Sequence, residues 1–219
     1  MSAVVSPSAS AAELPAGLSF LHERAKARAV AAVKAFESHT SAELVITMKK
    51  RARAYPEAHL LFGVVFAFAA LLFLLFYPRD FATALMPLDV ILAFGAGYGL
   101  SYALPPLQRL AIAKKKREEA VSQAAKAAFV DLGVSKTTGR TGVLVYVALF
   151  ERAVAVVADA GVTPEARAAA EGAERALEEA LTRADVRAFA ETLEALGPVF
   201  AATMARAEDD VNELADEIA

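Results

Sequence analysis

The chain has 219 residues, 57% of them hydrophobic, a formal net charge of −3 and a positive mean hydropathy. That size and balance suit one domain plus a membrane element, and give no bias toward a polyanionic or polycationic partner. Cysteine is absent, which excludes disulfides, thiolate nucleophiles and Cys-ligated metal centres.

Residues 1–17 are rich in small residues, Ser and Pro, lack a basic segment and a sustained apolar core, and read as a disordered lead rather than a signal peptide. Leu18 to Ser38 has helical periodicity, with Phe20, Leu21, Ala25, Ala29, Val33 and Phe36 on one side. Glu43 to Met48 follows as a short β-branched strand, and residues 18–59 form the first part of the domain. Lys49, Lys50 and Arg51 then give a basic run suited to anionic lipid headgroups.

Leu60–Tyr77 contains eighteen uncharged residues, thirteen of them Leu, Phe or Val. A helix of that length spans about 27 Å, close to the hydrocarbon thickness of a bilayer. After a connection bounded by Pro78 and Pro87, Leu88–Leu104 is a second, weaker span with three glycines and Asp89 near its start. Gly95-x-x-x-Gly99 admits a close helix neighbour. Packing against the first span is its simpler use, and a homodimer through Gly95 and Gly99 is the alternative. Residues 60–104 thus read as a transmembrane helical hairpin.

Pro105-Pro106 ends the second span, and Leu107 to Leu132 reads as one basic amphipathic helix. Its Lys114, Lys115, Lys116 and Arg117 are further candidates for lipid headgroups; without interleaved aromatics they do not suggest nucleic acid. Gly142–Phe150 is apolar on both faces, as a central covered strand requires. Ala153–Ala158 returns beside it after a longer or bulged turn, since Gly and Asn are missing there. Thr163 with Pro164 opens a helix to about Thr182, and Asp185 caps another that Gly197-Pro198 interrupts. The second part of the domain is 105–207, and 208–219 is an acidic, solvated tail.

Four Lys or Arg precede the first span within fifteen residues, five follow the second, and one, Arg79, lies between. The positive-inside rule places both flanks, with both termini, on the cytoplasmic side of an inner membrane crossed twice.

Several stretches resemble the TPM domain family: Thr40-Ser-Ala-Glu-Leu-Val-Ile46, Phe129-x-x-Leu-Gly133, Thr137-Thr-Gly-Arg140-Thr-Gly-Val-Leu-Val-Tyr-Val147, Glu151-Arg152 and Val156-Val-Ala-Asp159-Ala-Gly161-Val. The similarity covers residues 18–48 and 107–205, with the hairpin as an insertion. It implies an α/β fold, a small mixed sheet with helices on both faces. It also implies calcium binding or acid-phosphatase activity, as in some plant-type members. The family's aromatic-Arg-x-Gly-Asp stretch is replaced here by Leu181-Thr-Arg-Ala-Asp185.

Glu43, Arg140, Arg152 and Asp159 fall near predicted strand ends, where ligands often bind, and are the candidate ligand-binding residues. Turn and capping roles explain the same residues without a ligand. His22, His39 and His59 are scattered and lack metal-ligand spacing, so they read as surface or interface residues. No catalytic constellation is recognisable. The expectation is a non-catalytic, membrane-anchored domain that binds or stabilises a membrane-associated protein; the alternative is a calcium- or magnesium-dependent phosphatase using Asp159 and Glu43.

Overall fold

The computed structural model describes residues 19–79 and 81–206, so the N-terminal lead and the acidic tail lie outside the described residues. The fold is mixed α/β and mostly helical. It divides into one unit of residues 1–50 with 121–219 and a second of residues 51–120.

In the first unit, α1 (Glu23–Glu37) precedes β1 (Glu43–Lys49), and β2 (Gly142–Ala148) and β3 (Ala153–Ala158) follow much later in the chain. The sheet order is β1-β2-β3. β1 pairs parallel with β2, Glu43 opposite Gly142, and β2 pairs antiparallel with β3, Val143 opposite Ala158. The four-residue turn between β2 and β3 carries Arg152 at φ 52°, in keeping with the expected longer turn. As read from the sequence, β2 is buried along its whole length.

Leu44, Ile46, Met48, Val143, Val145, Val147 and Val154 share one face and one core with residues of α1, α6 (Pro164–Arg183) and α7 (Val186–Ala201). Phe36 meets Phe200 edge-on at 5.0 Å, and Phe20 meets Phe189 at 5.3 Å. On the opposite face Val45, Thr47, Leu144 and Tyr146 are buried as well. α5 (Lys114–Asp131) contributes buried Val121, Ala125 and Phe129 at helical spacing, outside the first core.

α6 borders the open edge of β3. Glu174 accepts from the Val156 amide at 2.7 Å and Glu178 from the Val154 amide at 3.2 Å, while Arg167 donates to the carbonyls of Ala158 and Asp159. Four residues of helix advance about 6 Å and two residues of strand about 6.8 Å, so side chains four apart reach alternate peptide groups of β3. A free strand edge is thereby closed to pairing with another chain.

Two helical expectations are corrected. Gly197-Pro198 does not interrupt α7, which runs through to Ala201. Gly197 instead permits close packing: a Cβ there would stand 3.4 Å from the Phe36 backbone and 3.3 Å from the His39 ring. The single helix expected from Leu107 to Leu132 is two, α4 (Pro105–Leu110) and α5, because the chain tightens into three-residue turns at Ala111 and Ile112.

In the second unit α2 (Pro56–Phe76) packs against α3 (Met86–Ala103). Glycines set the approach. A Cβ on Gly63 would lie 2.6 Å from the Phe94 ring, and one on Gly97 would lie 2.5 Å from the Phe62 carbonyl. Gly95 and Gly99 face open space, so the close contact uses a different pair of glycines from the expected motif. Among the described helices α2 alone is long and apolar enough to cross a membrane; α3 falls short by that measure, so the two-span hairpin is not matched helix for helix. Much of α2 is exposed and apolar, from Leu60 at 52% to Phe76 at 80%.

Candidate functional site

The β1–β2 register and the β2–β3 closure place three candidate positions at one end of the sheet. Glu43 stands opposite Gly142, and the Asp159 amide donates to the Gly142 carbonyl at 2.9 Å, so Glu43, Gly142 and Asp159 form one row. Two strand spacings separate Glu43 from Asp159, about 10 Å between backbones. Both carboxylates are buried, at 8% and 4% exposure.

Arg140 completes the group from the loop before β2. Its Nη2 donates to Asp159 Oδ1 at 2.9 Å and its Nε to Oδ2 at 3.4 Å. The Arg140 side chain is 62% exposed although its Asp159 partner is buried. Solvent screening limits what such a half-exposed pair adds to stability. Asp159 Oδ1 also accepts from the Ala160 amide at 2.6 Å, fixing the turn that leaves β3.

Arg140 itself is held in the left-handed region, φ 52°. Its amide donates to the Thr137 carbonyl, its carbonyl accepts from Gly161, and buried Thr137 accepts from the Thr141 amide. Gly161 is required by close approach, since a Cβ there would sit 2.1 Å from the Gly139 carbonyl. Thr141 donates to the Ser41 carbonyl at 3.2 Å, tying this loop to the segment before β1. The result is a rigid corner that presents an exposed arginine side chain above a buried carboxylate.

Arg152 does not join it. It lies in the turn at the other end of β2, six strand residues away, or about 20 Å. The four-residue candidate set is therefore split by the length of the sheet. Among the described residues no group of three or more His, Asp or Glu is gathered as a metal site, so any calcium would need ligands beyond Glu43 and Asp159.

The residues considered for lipid headgroups vary in surroundings. Lys114 and Lys115 are exposed and pair along the helix with Glu118 and Glu119, while Lys116 meets Glu57 at 2.8 Å. Arg51 donates to Gln108 at 2.7 Å. Lys49 and Lys50 are exposed. Arg117 is half-buried, with its Nε lacking a hydrogen-bond partner among the described residues.

Sequence reasoning missed Arg167, which grips the carbonyls beside Asp159, and it misplaced His59. That histidine is buried, with Nδ1 3.1 Å from Ser101 Oγ and Nε2 3.1 Å from Gln108 Nε2. A lone His beside an apolar run and a lone Gln after Pro-Pro were the available signals; neither names its partner. His22 instead caps α1, and His39 packs by Gly197.

No protein-family model and no curated protein matches the chain. Among solved structures it is similar to the NMR structure of BA42 protein from the psychrophilic bacterium Bizionia argentinensis, with a TM-score of 0.54 and 15% identity over 91% of this chain and 94% of that one. At that identity the likeness is one of fold.

Proposed function

We propose that the chain is a membrane-anchored, TPM-like domain that acts by binding or stabilising a membrane-associated protein rather than by catalysis. The supporting observation is an exposed apolar helix inserted between two strands that pair with each other. A 21-residue helix is about 31 Å long, enough for the hydrocarbon core, and water does not tolerate so much exposed Leu and Phe without a partner or lipid. Since β1 before α2 and β2 after α3 lie in one sheet, the chain must return to the side it left. If α2 crosses, α3 crosses back. The modest hydropathy of α3 is compatible with this, because it packs on α2 through Gly97 and Ser101 and needs lipid on only part of its surface. Under the same reading both flanks face the cytoplasm, where the basic residues concentrate.

Topology reporters fused after Ala219 and within the 78–85 connection test the anchor: the first is expected inside the cell and the second outside. Both on one side would remove the hairpin. For the binding role, mild detergent extraction followed by cross-linking is expected to recover a stoichiometric protein partner. A chain that extracts and sediments alone argues for another role.

A second reading, a metal-dependent phosphatase, draws on the row that holds Glu43 and Asp159 beside the Arg140 guanidinium. It predicts phosphomonoester hydrolysis by the full chain with calcium or magnesium, abolished in Asp159→Ala. Equal turnover in that variant ends this reading.

A further inference from the structure

At the end of the second unit where α2 begins, side-chain bonds bring four pieces of chain to one level. Lys116, in the first turn of α5, pairs with Glu57 in the first turn of α2 at 2.8 Å, and Arg53 meets the same carboxylate at 2.8 Å. Gln108 of α4 lies 3.3 Å from the Tyr55 carbonyl, just ahead of α2. Ser101, in the last turn of α3, lies 3.1 Å from His59. Residues 51–57 and 109–119 carry seven Lys or Arg against three Glu, and past Glu57 the rest of α2 has no Lys, Arg, Asp or Glu. A surplus of positive charge thus borders the apolar surface that starts at Leu60, 52% exposed.

The cations at this level are poorly matched within the chain. Lys114 and Lys115, with side chains 75% and 88% exposed, reach Glu118 and Glu119 only at 3.3 and 4.0 Å, and exposed pairs of that kind add little. The Nε of half-buried Arg117 has no hydrogen-bond partner among the described residues. Apolar side chains stand exposed here too. Leu104, at φ −119° and ψ 87°, breaks the course of α3, so α4 leaves in a new direction. Gln108 and Leu110 are about 200° apart around α4, which sets the buried amide on the inner face and Leu110, 82% exposed, on the outer one. Tyr102, at the end of α3, is 75% exposed.

The positive-inside bias explains cations beside a span, but it gives no reason for Leu110 and Tyr102 to be exposed among them. A membrane surface accounts for both. Anionic headgroups attract the cations, and the acyl boundary just beneath receives Leu and Tyr side chains. We propose that this end of the second unit binds anionic phospholipid headgroups through Lys114, Lys115 and Arg117, with Leu110 and Tyr102 set at the acyl boundary. The inference rests on the membrane anchor proposed above and adds to it a lipid preference.

The full chain reconstituted in vesicles of equimolar phosphatidylcholine and phosphatidylglycerol tests it, with bromine carried on the acyl chains of one lipid at a time. The sequence has no Trp, so Leu110→Trp places a single fluorophore on α4, and Phe68→Trp, in a separate variant, places one midway along α2. Phe68→Trp is expected to be quenched by either lipid; no quenching there removes the anchor, and this inference with it. Once that control is met, emission from Leu110→Trp is expected to be blue-shifted and quenched about twofold more by brominated phosphatidylglycerol than by brominated phosphatidylcholine. The preference is expected to vanish in Lys114→Gln/Lys115→Gln/Arg117→Gln, and in about 1 M salt, where the screening length falls to about 3 Å. Equal quenching by the two lipids, a preference that survives the triple substitution, or emission typical of water overturns the headgroup site while the anchor stands. So does a preference lost to inorganic phosphate but kept in chloride at matched ionic strength, which identifies a site for free phosphate. Should the triple variant fail to reconstitute, the lipid and salt comparisons still decide.

Discussion

The two units are held together by different means. Around the sheet, apolar side chains from α1, α6 and α7 interlock over β1 and β2, and phenylalanine pairs sit at the centre. Between α2 and α3, glycines let backbones approach, and the buried groups at one end are a histidine, a serine and a glutamine. The first is the packing expected where water drives burial. If the proposed anchor holds, apolar side chains gain little by leaving lipid for each other in the second, and close contact and hydrogen bonds must supply the association.

That contrast can be broken from either side. The largest effect is expected for Phe36→Ala, which removes a fully buried ring stacked edge-on to Phe200. Denaturation of the full chain should show a loss of about 3–5 kcal/mol, borne by the sheet unit. Next comes Gly97→Leu, whose side chain would collide with the Phe62 carbonyl. A cost of about 1–3 kcal/mol is expected, read as lost cross-linking between cysteines placed on α2 and α3. Gly95→Leu and Gly99→Leu enter open space, so they should leave that cross-link intact and stability within about 0.5 kcal/mol. Equal effects at all three glycines would erase the distinction between the faces of α3.

A smaller effect concerns the rim of the sheet. Burial, opposed by the Val156 hydrogen bond and reinforced by Glu178 and Glu171, raises the Glu174 carboxyl above its ordinary range. The folded chain then holds that proton more tightly than the unfolded chain. Stability from this group rises as pH falls through the raised folded value and is complete below the unfolded one. Glu174→Gln keeps an oxygen for Val156 and should flatten that part of the pH–stability curve, raising stability at neutral pH and leaving it unchanged in acid. A steeper curve would show the sign to be wrong.

Much of the sheet unit was legible because its signals are local. Thr163 and Asp185 cap α6 and α7 through their own side chains, accepting from Ala166 and Ala188, and the two apolar faces of Gly142–Phe150 marked a central strand. The Glu43–Asp159 end was legible as two strand ends, but grouping Arg152 with them ignored that a hairpin puts its turn opposite its open end. Gly197-Pro198 read as a stop because local propensity says so; close packing against α1 explains the glycine instead. His59 and Gln108 are 49 residues apart, and periodicity holds no record of a bond at that range. The second unit also reaches past the expected 60–104, taking in residues 51–120.

The parallel pairing of β1 with β2 imposes an order on biosynthesis. Roughly ninety residues separate Lys49 from Gly142, and at about 5–20 residues per second the first strand emerges from the ribosome several seconds or more before its neighbour exists. Throughout that delay Leu44, Ile46 and Met48 have no sheet to enter, while the nascent α2 and α3 are already being made. Assembly of the domain is therefore a late event, and a nascent chain stalled ahead of Gly142 would leave a sticky, half-made product for quality control to remove.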